Sequence, residues 1–349
     1  MHILVTNDDG PPSDQSSPYV HSLVRTLQDA GHTVSVVLPH TQRSWIGKAH
    51  LVGHSVKPTY FRPSTLIYNT SGRLSNTGTT TTHPLPSSSS DEEWILVDST
   101  PASCVQIGLY YFFESRGPID LVVSGPNYGR NSTAVFSLSS GTIGGAMEAA
   151  VCGVKSIALS YAFFDRNHDP LIISGASSLS VRLIEHLHKN WDTQAHLYSV
   201  NVPLVEKVGE KKILYTSMLQ NRWKSGSCFT AVEVPPETDD TPDEAEASLR
   251  KEEEKQGRRE SAAAKPAGVS GWDTPVSAES SSGEVGGAHI RYTHKHFKWA
   301  PQFKDVYQSV TDSEPGNDGW AVAQGYTSVT PLRANFMHVG TPDGEIKLD

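Results

Sequence analysis

The stretch HILVTNDDG, residues 2–10, joins a short apolar strand to two adjacent aspartates. A run that is mostly apolar on both faces is typical of a parallel strand covered by helices on both sides. Asp8 and Asp9 follow this run directly, and two neighbouring carboxylates repel each other unless a positive group lies between them. A divalent cation would satisfy both charges, but Asn, Asp and Gly in this order can also form a simple turn. The pair alone leaves both interpretations open.

Short apolar strands and one-sided helices continue to alternate as far as residue 203. This alternation predicts parallel strands joined by helical crossover connections. We therefore predict an α/β fold, a doubly wound and mostly parallel sheet in a Rossmann-like three-layer α/β/α arrangement. The strand-like runs are HILVT, TVSVVLP, WILVDS, IDLVVSG, KSIALSYA and AHLYSVNVP. The helix-like runs are SPYVHSLVRTLQDAG, TPASCVQIGLYYFFESRG, GTIGGAMEAAVCG and PLIISGASSLSVRLIEHLHKN.

Two of these helices carry a start signal in the sequence. Ser17 precedes Pro18, and Thr100 is followed by a proline in the same way. A capping side chain before a proline at the first helical position is a typical helix start. Further along, the stretch WAVAQGYTSVTPL, residues 320–332, is predicted to be a strand that returns to the core.

We divide the chain into a core, an insert and a C-terminal segment. Residues 1–236 form the predicted α/β core, in which the low-complexity stretch 76–93 is expected to be a mobile loop. Residues 237–288 contain 13 acidic and 6 basic residues and few large apolar ones, so we expect a disordered acidic insert. Residues 289–349 form a C-terminal extension that is predicted to return to the core or to a partner subunit.

The charge distribution and the cysteines limit the classes of partner. Most of the formal net charge of -9 lies in the insert, and no basic stripe is available for nucleic acid or an anionic membrane. No apolar run approaches the ~18 residues of a membrane span. Cys104, Cys152 and Cys228 are widely spaced in apolar contexts and predict buried, reduced thiols. Because the first strand begins at His2 and leaves no room for a leader, we expect a cytoplasmic protein.

Further polar groups follow other predicted strands at the same edge of the sheet. The segment SGPNYGRN carries the amides of Asn127 and Asn131 on a glycine-containing loop. The segment SSGT, residues 139–142, opens a helix whose N-terminal N–H groups offer a phosphate site. Ser and Thr also cap many helices that bind nothing. The segment TQRSWIGKAH adds the hydroxyl of Ser44, although a single loop serine is usually only that.

These groups agree in position and in chemistry. Ligands of open α/β sheets bind beyond the carboxyl ends of the strands, near the point where the strand order reverses. Two carboxylates, an amide oxygen and a hydroxyl make an all-oxygen set that suits Mg²⁺, Mn²⁺ or Ca²⁺ rather than structural zinc. A hard cation beside a phosphate site indicates phosphoryl chemistry.

The sequence resembles the SurE family of survival-protein nucleotidases and phosphatases. The matching segments are ILVTNDDG, STPASCV, SGPNYGRN, SGTIGGAMEAA, VNVP and GYTSVTPL. They keep the family's order over most of residues 1–332. NDDGPPSDQSSPYV together with QRSWIGKAH further resembles a fungal branch of acid phosphatases, some members of which carry an additional ligase-like domain.

The resemblance implies one divalent cation per subunit, Mg²⁺ or Mn²⁺. The implied metal ligands are Asp8, Asp9, Ser44 and Asn127. The implied phosphate-binding residues are Asn131, Ser140, Gly141 and Thr142. Members of the family remove phosphate from nucleoside 5′- or 3′-monophosphates, and some hydrolyse short polyphosphate. The resemblance also implies a homo-dimer or homo-tetramer.

Our hypothesis from the sequence is hydrolysis of a small phosphomonoester by attack of a metal-activated water. Asp8 and Asp9 are the candidate catalytic residues, with Asp9 as a ligand and Asp8 as a ligand or base. The alternative is a non-catalytic nucleotide-binding scaffold that recruits partners through its acidic insert. The pair of repelling carboxylates favours the enzyme, because a site that no longer binds a cation has no reason to retain both.

Overall fold

The computed structural model describes residues 1–53, 55–166, 168–224, 226–232, 241, 243–244, 246–248, 250–251, 254 and 295–336. The described strands are β1 (His2–Thr6), β2 (Thr33–Pro39), β3 (Pro58–Arg62), β4 (Thr79–Thr81), β5 (Trp94–Val97), β6 (Leu121–Tyr128), β7 (Ser156–Ala162), β8 (Leu197–Pro203), β9 (Ile213–Tyr215), β10 (Phe229–Val232), β11 (His296–Trp299) and β12 (Thr327–Leu332). The α-helices described over their full length are α1 (Val20–Asp29), α2 (Pro101–Ile107), α3 (Ala134–Ser139), α4 (Gly141–Val151), α5 (Pro170–Lys189), α6 (Lys304–Thr311) and α7 (Asp318–Ala323).

Ten of these strands form one sheet in the order β4-β3-β5-β2-β1-β6-β7-β8-β12-β9. The six strands from β5 to β8 in this order run parallel, whereas β3 and β12 pair antiparallel with β5 and β8. In one half of the sheet, β1 is followed outward by β2 and then β5. In the other half, β6 is followed outward by β7 and then β8. The strand order therefore reverses between β1 and β6. This confirms the predicted doubly wound, mostly parallel α/β fold.

Alternate side chains of β1 enter two different apolar clusters. Ile3 and Val5 pack in the cluster that contains Leu23 of α1, whereas Leu4 packs in the cluster that contains Cys104 of α2. Side chains of a strand point alternately to opposite faces of the sheet, so a strand that is apolar at every position needs a cover on both faces. Helices α1 and α5 pack together on one face, and α2 and α4 pack together on the other.

One of the two predicted helix starts is wrong and the other is confirmed. Tyr19, not Ser17, immediately precedes the first residue of α1. Ser17 instead donates its hydroxyl to the carbonyl of Gly10 and accepts a hydrogen bond from the side chain of Asn7. It therefore stabilises the loop after β1, which carries the acidic pair. Thr100 does cap α2.

Two segments differ from their prediction. The stretch 76–93 is not a loop throughout, because Thr79–Thr81 forms β4 and pairs antiparallel with β3. The stretch 320–332 is not one strand, because its first residues belong to α7 and only Thr327–Leu332 forms β12. Gly325 follows α7 with a φ of +72°, the left-handed conformation that commonly ends a helix.

Most of the predicted insert, residues 237–288, lies outside the described residues. The described residues between 241 and 254 are here called the Arg250 segment, and all of them except residue 241 have helical backbone. In the C-terminal extension, β12 pairs with β8 of the same chain. Residues 289–294 and 337–349 lie outside the described residues.

All three cysteines are free thiols, as predicted, but only Cys104 is buried. Cys152 and Cys228 are partly exposed, contrary to the prediction. Within the described ranges, no helix has both the length and the apolar composition needed to cross a membrane.

Candidate active site

Asp8 and Asp9 lie where the order of the strands reverses. The last residue of β1, Thr6, is in register with Ser124 of β6, and the two aspartates follow just beyond it. The register of β6 shifts after Ser124, and pairing with β7 resumes at Asn127. Asn127 therefore belongs to the end of a strand and not to the predicted loop. This edge of the sheet is where open α/β folds bind their ligands.

Three donors hold the carboxylate of Asp9. The backbone N–H of Tyr128 donates to Oδ2 over 2.6 Å. The amide of Gln42 donates to Oδ1 over 3.2 Å, and the guanidinium of Arg250 donates to the same atom over 2.7 Å. Burial raises the pKa of Asp9, and the charge of Arg250 opposes this shift. The carboxylate of Asp9 is therefore fixed in orientation and paired with a cation of the chain.

Asp8 has no ion-pair partner among the described residues. The hydroxyl of Thr142 donates to its Oδ1 over 2.5 Å. The side chain packs onto the backbone of Gly141, where an added Cβ would lie 2.7 Å from the Cβ of Asp8. Burial, followed by the charge of Asp9, raises the pKa of Asp8 to about 7. The ionised form of Asp8 thus lacks full compensation, which is the electrostatic condition for binding a cation.

Arg250 is the site residue that sequence reasoning missed. It belongs to a segment expected to be disordered, yet it is only 3% exposed. Its guanidinium carbon lies 4.0 Å from the centroid of the Tyr128 ring, and its Nε donates to Glu246 over 3.0 Å. Nothing in the surrounding sequence SLRKEEEK distinguishes this basic residue from its neighbours. Only the three-dimensional structure brings it to Asp9.

One pocket at this edge collects most of the predicted site residues. The predicted residues that line it are Asp8, Ser44, Asn127, Asn131 and Ser140. The other three do not line it. Asp9 is hydrogen-bonded to Arg250, while Gly141 and Thr142 contact Asp8. The remaining lining residues are Trp45, Tyr128, Gly129, Arg130, Phe136, Ser139, Glu246 and Arg250.

The predicted ligand set fits a hard divalent cation by its chemistry. The side-chain nitrogen of Asn127 donates to the carbonyl of Gly129 over 2.9 Å, so its carbonyl oxygen is the end left for a cation. Ser44 faces the same pocket as Asp8. The described residues contain no cluster of three or more His, Cys, Asp or Glu side chains that could hold a metal. Hard cations accept hydroxyl, amide and water oxygens beside carboxylates, so two aspartates with Ser44 and Asn127 are a suitable set.

The N-terminus of α4 lies against Asp8 and opens toward the pocket. Ser140 accepts a hydrogen bond from the N–H of Ile143 over 3.1 Å and lines the pocket. The N–H groups of Gly141 and Thr142 belong to the first turn, where backbone donors have no partner within the helix. The hydroxyl of Thr142 is bonded to Asp8, a contact that the sequence did not predict.

Asn131 is held rigidly from several sides. Its backbone N–H donates to the side chain of Asn201 over 2.8 Å, and its carbonyl accepts from the hydroxyl of Ser137 over 2.8 Å. Its side-chain nitrogen donates one hydrogen to Ser160 over 2.9 Å. An amide carries two such hydrogens, so the second remains for an anion in the pocket.

Aromatic residues form one wall of the pocket, a feature that the sequence did not predict. Trp45 follows Ser44 directly and has a φ of +63°, which is unusual for a bulky residue. Its ring lies 5.9 Å from the ring of Phe136 and 5.8 Å from that of Phe303, centroid to centroid. The aromatic wall therefore lies beside a predicted metal ligand.

The fold and the acidic pair at the reversal point define an α/β protein with a candidate cation and phosphate site. The family model described as "Survival protein SurE" matches residues 3–225. The chain belongs to this family, as the resemblance of its sequence motifs predicted.

Several curated relatives agree with this assignment, and a solved structure shares the fold. "5'-nucleotidase SurE" from Geobacter metallireducens is 32% identical over 211 residues, which cover 60% of this chain and 68% of the relative. "5'-nucleotidase SurE" from Ruegeria pomeroyi is 31% identical over 238 residues, 66% of this chain and 77% of the relative. The crystal structure of the SurE protein from Aquifex aeolicus has the same fold, with a TM-score of 0.56, 21% identity, and 97% and 95% coverage of the two chains.

A relative from Saccharomyces cerevisiae has a different kind of name, "Probable tubulin--tyrosine ligase PBY1". It is 41% identical over 244 residues, which cover 64% of this chain but only 31% of the relative. This chain therefore spans less than a third of that protein.

Proposed function

We propose that this protein is a divalent-metal-dependent phosphomonoesterase that hydrolyses nucleoside 5′- or 3′-monophosphates or similar small phosphate esters. One observation carries the proposal: Asp8, Ser44 and Asn127 line the same pocket as Asn131 and Ser140. The side chains that would bind a cation and those that would donate hydrogen bonds to an anion therefore line the same pocket. The names of the bacterial relatives as 5′-nucleotidases support the same reaction class.

Asp8, Asp9, Ser44 and Asn127 would hold one divalent cation per chain, Mg²⁺ or Mn²⁺. Such a cation, when bound, polarises phosphoryl oxygens and lowers the pKa of a water molecule. Oδ1 of Asp9 accepts from both Gln42 and Arg250, whereas Oδ2 accepts from the N–H of Tyr128 and keeps a second lone pair, so Oδ2 is the oxygen that would bind the cation. A preorganised ligand reduces the entropic cost of assembling the site.

Asp8 is the candidate base of the reaction. In the metal-free protein its pKa is about 7, and a bound cation would lower it, so the ionised carboxylate is the form that would accept a proton from water. Thr142 holds one oxygen of Asp8 and thereby fixes the direction of the other. The hydroxyl of Thr142 thus positions the carboxylate, while its backbone N–H is the part available to the phosphoryl group.

Asn131, Ser140 and the first N–H groups of α4 would bind the phosphoryl oxygens. The N-terminus of a helix combines free N–H donors with the positive end of the helix dipole. Donors fixed before the reaction stabilise the charge that spreads over these oxygens in the transition state. Trp45 and Phe136 supply aromatic rings against which a nucleobase would stack, which favours nucleotides over esters without a base.

The test is hydrolysis of p-nitrophenyl phosphate by the purified chain, with EDTA and with added Mn²⁺ or Mg²⁺. We expect turnover with the cation and loss of turnover with EDTA. The same measurement over 5′- and 3′-nucleotides and short polyphosphate then ranks the substrates. Asp14→Asn is a matched control for Asp8→Asn, because Asp14 lies on the same loop but is exposed and outside the pocket.

The proposal competes with the scaffold hypothesis, in which the chain binds nucleotides without turning them over. Metal-independent nucleotide binding with no hydrolysis under any of these conditions would favour the scaffold. A cytoplasmic location and a homo-dimer or homo-tetramer remain predictions from the sequence.

A further inference from the structure

The guanidinium of Arg250 uses only part of its hydrogen-bonding capacity. Its Nη2 donates to Asp9 over 2.7 Å and its Nε donates to Glu246 over 3.0 Å. Its Nη1 is buried and has no hydrogen-bond partner among the described residues. The whole side chain is 3% exposed. A buried donor without a partner is costly, and a charged donor especially so.

The position of Arg250 indicates what would satisfy this donor. Arg250 lines the same pocket as Asp8, Asn131 and Ser140. The face of the guanidinium lies on the ring of Tyr128, 4.0 Å from its centroid, which restricts rotation of the group. The planar fork of an arginine can donate to two acceptors at once, and phosphate oxygens match its geometry.

We infer that Arg250 binds the phosphoryl group of the substrate through Nη1 while Nη2 holds Asp9. This inference rests on the proposed function, because it adds a phosphate-binding residue to the same pocket. The Arg250 segment thus supplies a positive charge to the pocket that Ser140, the residue before α4, also lines. The alternative that the test must exclude is a guanidinium that only neutralises Asp9 and competes with the cation.

Arg250→Ala and Arg250→Lys in the full chain test the inference, with Lys251→Ala as the matched control. Lys251 is the adjacent cation of the same segment and is exposed. The first readout is the shift in unfolding temperature on adding inorganic phosphate in the presence of Mn²⁺, because a ligand stabilises the state it binds. We expect the wild type and Lys251→Ala to be stabilised equally and Arg250→Ala to be stabilised much less.

The second readout is the kinetics of phosphomonoester hydrolysis. Losing a charge-assisted hydrogen bond should raise KM of Arg250→Ala roughly tenfold or more. Arg250→Lys should recover only part of this loss, because an ammonium keeps the charge but cannot span both acceptors. Guanidinium ion at millimolar concentration should lower KM of Arg250→Ala, and should leave the wild type and Lys251→Ala unchanged.

Three results would overturn the inference. The first is an equal phosphate-induced stabilisation in Arg250→Ala and wild type, and the second is no stabilisation of the wild type by phosphate. The third is tighter Mn²⁺ binding together with faster turnover in Arg250→Ala, which would make the arginine a competitor of the cation. Failure of the proposed function is distinguishable, because a wild type that binds phosphate through Arg250 but hydrolyses no ester contradicts only that function.

Discussion

The guanidinium of Arg250 lies 2.7 Å from the carboxylate of Asp9, although 241 positions separate the two residues in the chain. Because of this contact, the two neighbouring carboxylates have different electrostatic environments. Asp9 has a cation of the protein bonded to it, whereas Asp8 has no ion-pair partner among the described residues, accepts a hydrogen bond from Thr142 and has a pKa raised to about 7. A strand can end in two like charges here because Asp9 is paired with Arg250 within the chain, while the proposed cation would offset the charge of Asp8 and contact both carboxylates.

The two aspartates should respond differently to isosteric substitution. We expect both Asp8→Asn and Asp9→Asn to lose metal-dependent turnover, because each removes a charged ligand. Asp8→Asn should leave the metal-free protein at least as stable as the wild type at pH 8, since it removes a buried like charge. Asp9→Asn should lower the free energy of unfolding by about 3 kcal/mol, the lower end of the cost of breaking a buried ion pair, because Glu246 still contacts Arg250.

Denaturant unfolding with EDTA measures this difference, and circular dichroism checks the fold of both variants. Equal losses of stability in the two variants would contradict the asymmetry of the pair.

Gly141 should be indispensable for the position of Asp8. An alanine there would place its Cβ 2.7 Å from the Cβ of Asp8 and 2.9 Å from its Oδ2. We expect Gly141→Ala to lower kcat at least tenfold, a loss of about 1.4 kcal/mol of transition-state stabilisation. Gly175→Ala in α5 is the control, because its nearest contact is 4.0 Å away and alanine should stabilise that helix by about 0.5–1 kcal/mol. Full activity in Gly141→Ala would show that Asp8 need not stay where it is.

The hydroxyl of Thr142 should set the acid limb of the pH profile. Its hydrogen bond lowers the pKa of Asp8 against the stronger upward effects of burial and of Asp9. Thr142→Val removes the hydrogen bond at nearly constant volume, so the pKa of Asp8 should rise further and the acid limb of kcat/KM should move to higher pH. Thr142→Ser keeps the hydroxyl and should keep the wild-type profile. An unchanged pH profile in Thr142→Val would show that the acid limb of kcat/KM does not arise from the ionisation of Asp8.

Cation binding and stability should both depend on pH through Asp8. Below a pKa of about 7 a proton occupies Asp8 in the metal-free protein. A cation must displace it, so the affinity for Mn²⁺ should fall about tenfold for each pH unit below 7. Calorimetric titration at pH 6 and pH 8, in buffers of different ionisation enthalpy, measures both the affinity and the protons released. Affinity that does not change with pH would contradict the assignment of Asp8 as the titrating ligand.

The stability of the metal-free protein should show the opposite trend. The folded pKa of Asp8 lies above its unfolded value of 3.8, so the folded state holds the proton more tightly. Proton binding by Asp8 therefore contributes fully to the free energy of unfolding below about pH 4. This contribution is lost as the pH rises to about 7. Other groups titrate in the same window, so the readout is the difference in unfolding free energy between wild type and Asp8→Asn. This difference should grow from pH 4 to pH 7 in favour of the variant.

Trp45 should discriminate between nucleotides and esters without a base. Stacking of a base on an aromatic ring is worth about 1–3 kcal/mol, so Trp45→Ala should raise KM for a nucleoside monophosphate by roughly tenfold or more. KM for glycerol 2-phosphate, which has no ring to stack, should change little, and Trp45→Phe should preserve most of the preference. Equal effects on both substrates would assign Trp45 a structural role only.

The sequence predicted what local patterns encode. The apolar strand before Asp8, the cap at Thr100 and the helix that begins at Gly141 each depend on residues close in the chain. Ser17 was misassigned because a capping residue and a loop-stabilising residue look the same in sequence. Arg250 could not be predicted, because its burial depends on contacts with Asp9 and Tyr128 and not on its charged neighbours. The hydrogen bond from Thr142 to Asp8 was missed for the same reason, since the two residues are 134 positions apart.

The central claim is that one divalent cation binds at the carboxyl end of β1, between the acidic pair and the N-terminus of α4. The most direct measurement is anomalous diffraction from crystals grown with Mn²⁺. We expect one strong anomalous peak per chain, within coordination distance of Asp8 and Asp9. A peak elsewhere, with these two carboxylates free of metal, would contradict it.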